Sequence, residues 1–323
     1  MTPPRALVLA VAAALLACIV GVLAGSSGFG LASADIMTSI RVPRVLAGFG
    51  AGAALAVSGA LMQLLTRNAL ADPYVLGVAG GAAVGALGAI LVAAAAGMQL
   101  SEWGVAGGAA IGAAAASALL FGLLWRRLAS TALTPAAEGS TALLLVGVMI
   151  GAGCSAIVSL ILTLADEGQL RGMVFWLLGD LSRGERWTWL IALLLVVTAV
   201  CTALGRHVNV LARGELQAAT VGMRVRRTQL LIFALTSLLT GCAVSAAGSI
   251  GFVGLVTPHL VRLGVGSDHR VLLPASALLG GVLLMSADLA ARTVIAPRQL
   301  PVGALTALVG VPLFLLLMSR RPR

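Results

Sequence analysis

The sequence predicts an all-α, polytopic membrane protein of about ten transmembrane helices in a single domain spanning residues 1–323, and three observations carry the prediction. The chain is 60% hydrophobic and only 10% charged, with a mean hydropathy of +1.07, so a water-soluble fold would expose apolar surface that it has no means to cover. All 21 basic residues are arginine, and they gather between long uncharged blocks. Such blocks separate Arg5 from Asp35, Arg44 from Arg67, Asp72 from Glu102 and Arg227 from Arg262, among others. Each is near or above the roughly 20 residues that cross about 30 Å of hydrocarbon. The 40 glycines are concentrated inside these blocks. Gly81/Gly85, Gly108/Gly112 and Gly147/Gly151 recur at the four-residue spacing that lets helix backbones approach closely.

Taken in order, the blocks predict helices over Ala6–Ala24, Val45–Leu65, Leu76–Ala96, Val105–Trp125, Thr141–Leu164, Trp187–Leu204, Thr228–Ala247, Phe252–Arg262, Val271–Ala291 and Pro301–Met318. The first resembles a signal peptide, but with so many spans behind it an uncleaved helix is expected. The stretch from Arg227 to Arg262 is too long for one span, and Gly248, Gly251, Gly254 and Pro258 interrupt it, so a helix, a tight return and a short eighth helix are expected. Fourteen arginines then fall on the face that holds both termini and seven on the other, which makes the topology N-in and C-in by the positive-inside rule. Two segments between spans are long. Residues 206–227, on the inner face, are expected to hold a short helix begun near Gly214 and stopped at Gly222. Residues 166–186, on the outer face, carry Phe175 and Trp176, aromatics suited to a membrane interface.

Several functions are excluded. An ATP-binding P-loop needs a lysine, and there is none, so any ATP must be hydrolysed by another chain. The net charge of +10 is scattered between spans without aromatic interleaving, which speaks for membrane orientation and against nucleic acid. Cys18, Cys154, Cys201 and Cys242 lie in apolar blocks at no metal-ligand spacing and read as small buried hydrophobes. His259 reads as a packed, hydrogen-bonded histidine, and no metal, cofactor or catalytic group is expected. Asp288 lies inside a predicted span, where an acid raises the hypothesis of a proton relay, but Arg292 is one turn later on the same face and an intrahelical pair is the simpler reading.

Specific strings go further. Arg41-Val42-Pro43-Arg44, Ser58-Gly59-Ala60-Leu61-Met62-Gln63, Asn68 to Pro73, Leu76-Gly77-Val78, the run Gly248 to Arg262 and Leu300-Pro301-Val302-Gly303 resemble, in this order, the permease subunits of ABC importers for iron siderophores, haem and cobalamin. The resemblance runs from about Arg41 to the C-terminus. Ala69, Gly80, Asp180 and Gln299 depart from it, standing where proline, serine, serine and glutamate are usual. It implies ten helices in two inverted halves, a homodimer around a central pathway, two ATPase subunits on the cytoplasmic face and a periplasmic binding protein that delivers a metal chelate. It further implies that Arg41, Arg44 and Arg292 meet acidic residues of the binding protein on the outer face. Gly214, Glu215, Ala218 and Gly222 match the coupling helix that rests in a groove of the ATPase. Arg171 and Trp176 stand near the presumed mouth of the pathway, where they would meet an anionic or planar chelate. The competing reading is an ion-coupled secondary transporter working through a buried acid such as Asp288.

Overall fold

The computed structural model describes residues 3–25, 28–30, 33–130, 136–181 and 187–319. The helices are α1 (Pro3–Leu23), α2 (Ala34–Ile36), α3 (Val42–Thr66), α4 (Val78–Ala95), α5 (Glu102–Ser130), α6 (Ala136–Leu164), α7 (Glu167–Leu177), α8 (Trp187–Ala203), α9 (Gly205–Arg213), α10 (Glu215–Thr220), α11 (Val225–Ala247), α12 (Val253–Val265), α13 (His269–Thr293) and α14 (Val302–Ser319). A π-helical turn over Met37–Arg41 joins α2 to α3, and a 3₁₀ turn over Pro73–Leu76 precedes α4. A two-stranded hairpin, Ala24–Gly25 with Gly28–Phe29, follows α1.

Among the described residues, seven helices are long and apolar enough to cross a membrane, and an eighth span results if α8 and α9, bent by 64°, are counted together. Two shorter apolar helices, Val253–Val265 and Val302–Leu317, complete the set. These elements correspond one to one with the ten predicted blocks. α12 is short because Gly248 at φ 72° and Phe252 at φ 69° turn the chain between α11 and α12, a return that a straight 3.6-residue helix cannot make.

α3 is the central element, and nearly all of it is buried because its packing faces are alanine and glycine. A Cβ placed at Gly52 would collide with the Gly280 carbonyl of α13, and one at Gly59 with the Gly254 carbonyl of α12. α4 and α5 meet in the same way. A Cβ at Gly85 would strike the Gly108 carbonyl, and one at Gly112 the Gly81 carbonyl. In a lipid environment there is little hydrophobic drive between spans, so this backbone proximity and its dispersion energy hold the helices together. The spacing rule holds for half of the third pair. Gly147 abuts the Val75 carbonyl, whereas a Cβ at Gly151 would meet open space.

Two apolar clusters result. One is built by α3, α8, α11 and α13, including Leu55, Leu61, Leu194, Leu239 and Leu284. The other is built by α4, α5, α6, α7 and α11, including Leu87, Val105, Leu120, Met173 and Phe233. Tyr74 and Leu65 pack against both. Of the cysteines, all free, Cys201 is buried while Cys18, Cys154 and Cys242 are only half-buried, so full burial holds for one of the four.

Candidate functional site

Three places gather the polar residues that the apolar pattern leaves over. The first is the segment between α8 and α11. Gly214, at φ 137°, separates α9 from α10, and its carbonyl accepts from Ala218 N at 2.9 Å. α10 is stopped where expected: Gly222 takes φ 78°, its N–H donates to Ala219 O at 2.9 Å, and Met223 N donates to Ala218 O at 3.1 Å. A left-handed glycine with such paired bonds is the usual way to satisfy the last carbonyls of a helix. The predicted short helix therefore exists. Its four expected contact residues do not share a direction, however. Ala218 is fully buried against the α3–α13 core, while Leu216 and Val221 are 79% and 70% exposed. The outward-facing side chains were missed in sequence, because periodicity over six residues cannot say which side of a helix meets its own bundle.

Glu215 also turns inward. Its Oε1 stands 3.2 Å from Nη2 of Arg67 and accepts from Nε2 of Gln229 at 2.9 Å. Arg67 caps α3 in the left-handed region, φ 49°, with its N–H donating to Leu64 O. In the same segment, Asn209 of α9 donates from Nδ2 to Asp268 Oδ1 at 2.7 Å, and its own Oδ1 accepts from His269 N at 2.9 Å. Asp268 is the N-cap of α13, accepting from Arg270 N, and the Asn209 amide is the main reason its carboxyl is held below the usual carboxylate range. One of the amide donors that every helix start leaves without an intrahelical acceptor is thus satisfied from a different helix.

The second place is the other end of α3 and α13. Arg44 donates from Nε to both oxygens of Asp288, at 3.0 and 3.1 Å, and from Nη2 to Oδ1 at 2.7 Å. Its Nη1 donates to Gln299 Oε1 at 3.3 Å. Arg292 Nε stands 3.4 Å from Asp288 Oδ2, the intrahelical pair that the four-residue spacing foretold, and its Nη2 donates to Gly21 O at 2.6 Å. Arg41 Nη1 donates to the carbonyls of Val22, Leu23 and Gly30. The resemblance sets these three arginines on the outer face to meet a binding protein, yet within this chain they are already engaged. Arg41, Arg44 and Arg292 are 6%, 8% and 6% exposed, because one carboxylate and a ring of carbonyls draw their guanidiniums inward. Spacing foresaw the Asp288–Arg292 pair but had no means to foresee Arg44, 244 residues away in sequence.

The third place joins the motif strings to one another. Tyr74, the single tyrosine, donates its hydroxyl to Ile250 O at 2.9 Å and accepts from Ile250 N at 2.7 Å, which pins the return between α11 and α12. A Cβ at Gly254 would stand 2.8 Å from Pro73 Cδ, and Gln63 Nε2 donates to Leu255 O at 3.2 Å. Asp72 caps the 3₁₀ turn by accepting from Tyr74 N at 2.8 Å, and burial pushes its carboxyl up to about 6.

On the outer segment, Arg171 is exposed with its guanidinium 5.9 Å from the centre of the Phe175 ring. Trp176 is 7% exposed and packs in the second cluster, so the expectation that it lines an open mouth is corrected: on α7 its side chain falls on the core face, with Met173. Residues 182–186 of this segment lie outside the described residues. His259 is half-buried, and among the described residues its Nδ1 has no hydrogen-bond partner. Among the described residues, no three of His, Cys, Asp and Glu come close enough to hold a metal ion.

Comparison with known proteins fits this geometry. Residues 6–320 match the model of the FecCD transport family. The chain is 42% identical over 293 residues to YvrB, an uncharacterised ABC transporter permease of Bacillus subtilis (strain 168), covering 90% of this chain and 80% of that protein. It is 40% identical over 291 residues to the hemin transport system permease HmuU of Yersinia pestis, covering 88% and 84%. It is 43% identical over 292 residues to the cobalamin import system permease BtuC of Halobacterium salinarum, covering 88% and 74%. The fold superposes on a metal-chelate-type ABC transporter in an inward-facing conformation with a TM-score of 0.83 at 29% identity, covering 99% of this chain and all of that one. With apolar helices suited to membrane spans and a family match over nearly its whole length, the chain belongs to the FecCD transport family and is, like the relatives it matches, a multi-pass ABC transporter permease and not an enzyme.

Proposed function

We propose that this protein is the membrane-spanning subunit of an ATP-driven importer in a cytoplasmic membrane, moving a metal chelate such as an iron siderophore, haem or cobalamin. It works as a homodimer with two ATPase subunits on the arginine-rich face and a periplasmic binding protein on the other. The observation that carries this reading is the 205–222 segment. A short helix with a defined stop presents Leu216 and Val221 outward, while Ala218 and Glu215 hold it to the bundle. An ATPase groove needs such a ledge, since a loose loop would absorb the displacement that ATP binding produces. Desolvating two apolar side chains on docking favours the contact by about 25 cal/mol per Å² covered.

The outer ends of α3 and α13 form the docking face for the binding protein. Their three guanidiniums are tied within the chain, and Arg44 and Arg292 share the one carboxylate of Asp288, so that this trio is net positive. It therefore steers an acidic partner through its field and not through free side chains. Gln299, which accepts from Arg44, is neutral and leaves that excess in place. Arg171 with Phe175 offers a cationic, flat surface at the pathway mouth for an anionic or planar chelate.

The secondary-transporter reading loses its main support. Asp288, the acid that would carry a coupling proton, is engaged by Arg44 and Arg292 in a structural network. Reconstitution separates the two. Proteoliposomes containing this chain alone should take up no ferric siderophore, haem or cobalamin under a proton or sodium gradient. Uptake should appear only with the ATPase, binding protein and ATP present. Gradient-driven uptake by the lone chain would overturn the proposal.

A further inference from the structure

We infer that Glu215 and Asn209 are positioning residues. Through Arg67, Gln229, Asp268 and His269 they clip the α9–α10 segment to the inner ends of α3, α11 and α13, so that the segment moves as one body with the α3–α13 pair. The inference rests on the coupling reading of residues 205–222 and adds how that segment is attached.

Four observations carry it. Glu215, which sequence reading would send toward a partner, is spent inside the chain, and so is Asn209. Glu215 accepts from Gln229 at 2.9 Å and faces Arg67 at 3.2 Å, and Asn209 bridges Asp268 and His269 at 2.7 and 2.9 Å. These clips land on α3 and α11 and on α13 with its N-cap. α3 and α13 are in backbone contact at Gly52 and Gly280 and are tied again at their far ends by Arg44 and Asp288, so they form a doubly fastened pair. From Arg44 to Arg67 is 23 residues, or about 35 Å of helix at 1.5 Å each, the thickness of a bilayer core. A displacement of α10 thus has a stiff route to the outer face.

The fourth observation is the backbone of Arg67. A helix that ends in the left-handed region ordinarily places glycine there, since a Cβ crowds the following carbonyl oxygen in that conformation. Here an arginine holds φ 49°. The conformation directs its side chain across the end of α3 to Glu215, which glycine could not reach.

The pair is partly exposed, with side-chain exposures of 37% and 30%, so its effect on the equilibrium between docked and released α10 is modest, up to about five-fold. Its role is position, not global stability.

The test uses the full chain in nanodiscs and reads amide hydrogen exchange over residues 215–222. Arg67→Glu and Glu215→Arg, taken singly, each place like charges together and should speed exchange there several-fold while leaving α4 and α5 unchanged. The double swap restores an opposite pair, and Gln229, whose amide can donate or accept, serves either order. Exchange should return to the wild-type rate. Unchanged exchange in the single variants, or no recovery in the swap, overturns the inference, because a Glu215 that served the ATPase instead would not be rescued by Arg67→Glu. The same variants assembled with the ATPase should move fewer chelate molecules per ATP, with recovery in the swap. Altered exchange with recovery but an unchanged transport ratio would uphold the clip and overturn the coupling reading on which it rests.

Discussion

At the scale of single residues, the arginine cluster shows how a charge that looks like a docking group in sequence becomes structural in the fold. Arg44 and Arg292 converge on Asp288, which is 2% exposed. Breaking a buried ion pair by removing one partner costs about 3–5 kcal/mol, because the charges left behind are desolvated and unmatched. Asp288→Asn keeps the shape, removes the charge and leaves two guanidiniums facing a neutral amide. The variant should lose several kilocalories per mole, seen as a clear drop in the thermal unfolding midpoint of the detergent-solubilised protein. A midpoint within a degree of wild type would show that carbonyls and lipid headgroups, not Asp288, satisfy these arginines. By contrast, Leu216 of α10 and Val221 at its C-cap carry exposed apolar surface and make no contribution of this kind to the fold.

At the scale of elements, the seams between helices are set by where a Cβ is missing. Gly85 and Gly112 on α4 and α5 each face a carbonyl of the partner helix, and close contact there leaves no room for a branched side chain. Gly85→Val should push α4 and α5 apart and cost about 1–3 kcal/mol, as overpacking of a tight interior does. Gly107→Ala is the matched control. Gly107 is also on α5, but a Cβ there meets nothing within 4 Å, so that substitution should be neutral or slightly stabilising through helix propensity. Equal losses in both variants, measured by thermal unfolding, would show that helix composition and not the seam governs stability. The Tyr74–Ile250 bonds act at the same scale. They hold the return between α11 and α12 against the turn before α4, and so lock one motif string to another.

At the scale of the whole molecule, topology decides which end of α3 and α13 meets which partner. Gly168 and Gln217 are both exposed and belong to segments that the arginine bias assigns to opposite sides. With the four native cysteines replaced by alanine, Gly168→Cys in intact cells should react with an impermeant maleimide, whereas Gln217→Cys should react only in inverted vesicles. The reverse pattern would exchange the assigned faces, and with them the proposed docking and coupling surfaces.

Much of this architecture was legible in the chain itself, because a bilayer imposes a one-dimensional rule. Each span must satisfy its own backbone and be apolar for about 30 Å, so runs between arginines reveal spans without knowledge of their neighbours. Glycine spacing disclosed the α4–α5 seam, and Gly214 with Gly222 disclosed both limits of α10, since left-handed backbone is a local requirement. The ordered strings disclosed the family. Side-chain direction was not legible. Whether Glu215 faces a partner or Arg67, whether Arg44 is free or pairs with Asp288, and whether Trp176 opens on a pathway or a core all depend on residues up to 244 positions away. Charge and spacing record what a residue is able to bind, but its actual partner is set by which helices the packing of α3 brings within 3 Å.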